Sequence, residues 1–150
     1  MDEILKDFYT HKNQMIKLIQ NTPKGTTKAL TQFIVEYFVK KELVVEREVK
    51  TRFHTDFKKP SKNYNINRLR NSHREGYLDL RISKFMNTES IIDIEIDRNN
   101  KKSSVGKLIY SKNTLNHKVL WIRWGWGRYK MENSMKNLID ENEIPILYLF

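Results

Sequence analysis

The chain contains no cysteine among its 150 residues. That excludes disulfide staples, thiolate zinc centres and a cysteine nucleophile, so the fold must rest on a packed core. Glycine and proline are scarce, at five and three residues, which argues against low-complexity tracts and linker composition. No apolar run approaches the ~18 residues of a membrane span, so no membrane partner is expected. The N-terminal stretch MDEILKDF is acidic and lacks signal-peptide form, making a reducing cytoplasm the expected compartment. Acids are the scarcer charge: 18 Asp and Glu stand against 28 Lys and Arg, for a net charge of +10. Such a surplus favours a polyanionic partner, most commonly nucleic acid, although a merely solvated basic surface has the same composition. Hydrophobic residues reach 39% and aromatics 11%, a globular composition long enough for one domain with one core.

Periodicity orders the elements. Ile4, Phe8, Met15 and Ile19 predict one helix over residues 2–20. NTPKGTT (21–27) breaks it, and Thr26 or Thr27 is a suitable N-cap for a second helix ending near residue 42. Glu36 falls on the border of that helix's apolar stripe. LVVEREVKTRF predicts a strand from Leu43, and residues 56–74 a long loop. GYLDLRIS (76–83) predicts a strand with Leu78, Leu80 and Ile82 on one face and Tyr77, Asp79 and Arg81 on the other. SIIDIEID (90–97) predicts another, with three isoleucines facing one way and Asp93, Glu95 and Asp97 the other. A helix over 102–115, a strand over 117–124, a short helix over 131–141 and a strand in IPILYLF complete the chain. The expected class is α/β (α+β), a mixed central sheet with helices on both faces. A single domain spanning 1–150 divides into an N-terminal helix and linker (1–25), a core (26–124) and a C-terminal extension (125–150).

The acids carry the sharpest signal. If the two apolar strands pair, Asp79 and Glu95 converge, and adjacent carboxylates repel unless a cation offsets them. Mg²⁺ suits such a site, because it takes one or two carboxylates with phosphate and water. Alternating acids also occur on solvated strand faces, where Asp93 and Asp97 would pair with Arg98, Lys101 or Lys102.

GYLDL, IIDIEID and their place in the element order resemble the PD-(D/E)XK nuclease superfamily, over about residues 26–124. The resemblance implies a restriction-endonuclease-like core. It puts Asp79 in the first acidic position, Glu95 in the second and Glu36 where members add an acid from the preceding helix. It implies a Mg²⁺- or Mn²⁺-dependent DNA endonuclease with Asp79, Glu95 and Asp97 as metal ligands. One departure stands out: the family's usual lysine, two residues after the Glu, is Asp97 here. Asp97 could bind the ion, orient a water or hold a replacement cation, for which Lys101, Lys102 and Lys107 are available. The alternative is a catalytically inactive DNA-binding protein or regulator of the same fold, and a third reading is an RNA-binding protein.

Residues 50–75 hold eight cations, among them Arg52, Lys58, Lys59, Lys62, Arg68, Arg70 and Arg74, against Asp56 and Glu75. Interleaved Asn and Tyr suit phosphate and base contacts in double-stranded DNA, although a solvated loop would look alike. Lys101 and Lys102 begin a second basic run, where Ser103 and Ser104 could cap a helix facing a phosphate. In WIRWGWGRYK, Arg123, Trp126 and Arg128 are candidate DNA contacts, whereas Trp121 and Trp124 suit the core. The four histidines show no ligand spacing. Cleaving both strands with one small site favours a homodimer or higher homo-oligomer.

Overall fold

The computed structural model describes residues 1–54, 73–125 and 130–150. Three helices come first: α1 (Asp2–Tyr9), α2 (Lys12–Asn21) and α3 (Thr26–Lys40). Then follow β1 (Leu43–His54), β2 (His73–Lys84), β3 (Asn87–Asp97), α4 (Lys102–Asn113), β4 (Lys118–Trp124), α5 (Asn133–Glu141) and β5 (Ile146–Leu149). The strands form one sheet in sequence order, β1-β2-β3-β4-β5. β1–β2 and β2–β3 are antiparallel, and β3–β4 and β4–β5 are parallel, each parallel pair joined through a helix. The protein is therefore α+β with a mixed sheet. No helix among the described residues is long and apolar enough to cross a membrane.

Helices cover both sheet faces. Phe8, Met15, Leu30, Ile34 and Phe38 from α1–α3 pack on Ile92, Ile94, Ile96, Leu120 and Ile122. Val105, Leu108, Met135 and Ile139 from α4 and α5 pack on the opposite face, around Trp121 and Val119. Each such fully buried aliphatic side chain contributes roughly 1.5–3 kcal/mol of transfer free energy. The terminal segments belong to this core as well: Phe8 and Met15 enter it from one end of the chain, and Leu147 and Leu149 from the other.

The first helix departs from the single span expected over 2–20. It breaks at Thr10 and His11, whose backbone amides bond back to Asp7 and Phe8 while the Thr10 hydroxyl also takes the Asp7 carbonyl. A threonine that competes locally for backbone acceptors favours such an end. Gly25, with φ +71°, occupies the N-cap of α3 in place of a threonine, and the Thr26 hydroxyl bonds instead to the Thr22 carbonyl.

A second departure shapes the site. Leu78 was expected to share a face with Leu80 and Ile82, but it packs with α4 while the other two pack with α3. β1 behaves alike: Val45 lies against the α3 layer and Val49 against the α4 layer. The ladder skips the Glu48–Asp79 pair, and Glu48 has φ +53°. The hairpin thus turns over at this point and wraps α4, and Asp79 sits at the turnover.

Candidate active site

Beyond Leu80 and Ile94, β2 and β3 are no longer paired as a ladder. In place of a backbone acceptor, the amide of Ile96 donates to Oδ2 of Asp79 at 2.7 Å. A side chain inserted where strands part holds that carboxylate between β2 and β3. Glu95 lies on the α4 side of β3, next to Asp79, whose carboxyl raises its pKa. The ammonium of Lys107, from α4, stands 2.5 Å from Oε1 of Glu95 and donates to the carbonyl of Tyr77 at 2.9 Å. The side chains of Lys107 and Glu95 are only 12% and 2% exposed. Gly76 makes room nearby: a Cβ there would lie 2.8 Å from the Phe53 ring.

Burial and the adjacent Asp79 carboxyl push Glu95 up to about 9, while Lys107 pulls it down. Two carboxyls in contact need a proton or a cation between them. Burial and the neighbouring carboxyl keep Glu95 protonated at neutral pH, with an ammonium alongside.

Asp97 is committed elsewhere. The Trp121 indole donates to its Oδ2 at 2.9 Å, and Lys101 is 4.0 Å from its Oδ1. Of the three roles open to Asp97, holding a nearby lysine is the one with a contact. Among the described residues, no group of three or more His, Asp or Glu is arranged to hold a metal ion.

Glu36 is not brought to this site. It is exposed, bonded to Gln32 one turn back on α3, on the layer across the sheet from Glu95. Nor does Arg123 offer a surface for DNA. It is buried, donating to Asn100 and to the carbonyl of Asp97, and it lies over the Trp121 ring. Burial lowers its pKa. The reason is its position: Arg123 follows Trp121 on the α4 side of β4, a covered face. Lys101 is 65% exposed, and Lys102 pairs with Glu132 at the surface. Arg52 is exposed on β1. Lys58, Lys59, Lys62, Arg68, Arg70, Trp126 and Arg128 lie outside the described residues, as does the side chain of Arg74. Ser103 and Ser104 do not cap α4. Lys101 is the N-cap, and Ser104 is buried within the first turn.

Sequence reasoning gave Asp93 the wrong partners. It is fully buried and receives Arg81 in bidentate fashion, Nε–Oδ1 2.7 Å and Nη2–Oδ2 3.0 Å, with Nδ1 of His117 2.8 Å from Oδ2. Arg81 and Asp93 are direct cross-strand partners, a signal readable only once the hairpin register is known. Its bond to Asp93 raises the pKa of Arg81. Asp93→Asn is expected to destabilise the protein by about 3–5 kcal/mol, because it strands a guanidinium whose counter-charge is gone. Urea denaturation checks this, and a loss under 1 kcal/mol, typical of an exposed pair, would contradict it.

No protein-family model, curated protein or solved structure matches this chain.

Proposed function

We propose that the protein is a Mg²⁺- or Mn²⁺-dependent DNA endonuclease with a restriction-endonuclease-like core. The observation that carries this reading is the meeting of Asp79, Glu95 and Lys107 where β2 parts from β3. The donor set fits the ion: two adjacent carboxyls, all-oxygen, with a proton on Glu95 that a divalent cation can replace. When bound, the ion lowers the pKa of a water and offsets charge on the scissile phosphate. The chain's own residues do the rest. The Ile96 amide fixes one oxygen of Asp79 and so aims the other. Glu95 completes the carboxylate pair. Lys107 supplies the positive charge that the residue after Ile96 cannot, since that residue is Asp97. Its ammonium orients the attacking water or a phosphate oxygen. Lys101, Lys102 and Arg52 provide cations for the backbone of duplex DNA, and a homodimer presents one site to each strand.

A binding-only reading has one observation in its favour. Lys107 already lies on Glu95, so an ammonium can stand permanently where the ion would act.

Plasmid nicking with and without Mg²⁺ separates the two. The nuclease reading expects nicking that EDTA stops, and Asp79→Asn reducing it by about 10³-fold or more with duplex binding retained. Asp97→Asn is expected to cost roughly tenfold, the scale of one charged hydrogen bond. Duplex binding without any Mg²⁺-dependent nicking favours the binding-only protein.

A further inference from the structure

A cavity of about 710 Å³ lies between α2, the start of α3 and the C-terminal ends of β4 and β5. Ile19, Thr26, Arg98, Trp124, Gly125 and Leu149 are among the residues lining it. Trp124 packs in the α1–α3 layer, so the cavity is on the other side of the sheet from Glu95. Its volume falls in the ~300–1,000 Å³ range of small-molecule sites.

Two features define what would fit. Most of the wall is apolar, suiting a flat ring. Arg98 lies over the Trp124 ring, 5.5 Å from its centre. No carboxylate pairs with Arg98 among the described residues, which leaves its guanidinium for an anion. Gly125, at φ +95°, permits this arrangement, since a Cβ there would be 3.2 Å from Cγ of Arg98.

We propose that this cavity binds a nucleotide: the base enters the apolar pocket, and the phosphate lies on Arg98. The cavity's chemistry stands by itself; the inference rests on the nuclease reading only for the source of the nucleotide. That source is a free mononucleotide or one nucleotide of a bound strand.

The test is calorimetric titration of the full chain with deoxyadenosine monophosphate in EDTA. Binding is expected. Arg98→Gln, at an exposed position, should weaken it about tenfold while leaving the phosphate-free nucleoside unaffected. Ile19→Trp, filling the cavity, should abolish both, with melting curves confirming that the variant folds. Displacement of the mononucleotide by a short single-stranded oligodeoxynucleotide assigns the cavity to a strand; persistence of the mononucleotide assigns it to free nucleotide. Absence of nucleotide binding, or unchanged affinity in Arg98→Gln, overturns the proposal. Mg²⁺-dependent nicking measured on the same preparations keeps the two readings apart. Nicking without nucleotide binding removes the cavity assignment alone, and nucleotide binding without nicking removes the nuclease reading alone.

Discussion

On the proposed nuclease function, Lys107→Met is expected to lower Mg²⁺-dependent cleavage by about 10²–10⁴-fold, the range for losing a positioned proton-transfer or charge-stabilising group. Methionine keeps most of the buried stem and removes only the ammonium. The folded state should change little, because Glu95 can keep its proton once Lys107 is gone. Lys107→Arg should recover part of the rate, since it restores charge but not the compact geometry that reaches both Glu95 and the Tyr77 carbonyl. Single-turnover nicking with saturating Mg²⁺ separates the chemical step from binding. Undiminished cleavage by Lys107→Met would mean that Lys107 only neutralises a buried carboxylate, and the catalytic cation would have to be sought among Lys101 and Lys102.

Glu95→Gln should have two effects of opposite benefit: no measurable cleavage, and a more stable metal-free protein at alkaline pH. The ordinary glutamate value is 4.5, and in the folded protein Glu95 is pushed up to about 9 by burial and by Asp79. Between those values the folded state keeps a proton that the unfolded chain releases. This group's contribution to stability is therefore fully present below 4.5 and declines as pH rises through 9. The decline approaches about 1.4 kcal/mol per pH unit where the two states differ by a whole proton, with a total on the order of a few kcal/mol. Glutamine has nearly the same shape and stays neutral, so it removes the slope. Urea midpoints in EDTA at pH 6 and pH 9 test this: the wild type should lose stability across the interval and Glu95→Gln should hold. Added Mg²⁺ should restore the wild type at the higher pH and leave the variant unmoved, because the ion takes the proton's place only where two carboxylates are present. Parallel slopes for the two proteins would contradict a buried, protonated Glu95.

The carboxylate pair was legible because alternation is local. On β3, isoleucines at 92, 94 and 96 must face one layer, so Asp93, Glu95 and Asp97 must face the other. The pairing of Asp79 with Glu95 followed from a short connection between two strands, and the parallel β3–β4 pair from a helix-length crossover. Partners of the acids were not legible in the same way. Asp93 meets Arg81 through hairpin register and His117 through the docking of β4. Arg123 reads as a surface cation in a basic stretch, yet β4 is an interior strand between β3 and β5 and both its faces are covered. Leu78 departs from its alternation because the β1–β2 ladder turns over at Glu48 and Asp79, a long-range event with no mark in either strand's own pattern.

Sequence alone determined the strands and the later helices, their order, the mixed sheet and the face of β3 on which the acids lie, since period, composition and connection length act within a few residues of one another. Tertiary structure decided which charges meet. Lys107 was one of three interchangeable lysines in a basic run, and only the packing of Val105 and Leu108 against the sheet turns it inward to Glu95 while Lys101 remains exposed. Helical rotation sets that outcome: residues four apart share a face, and six apart they do not, so burying one apolar stripe selects which cations are carried to the carboxylates and which to solvent.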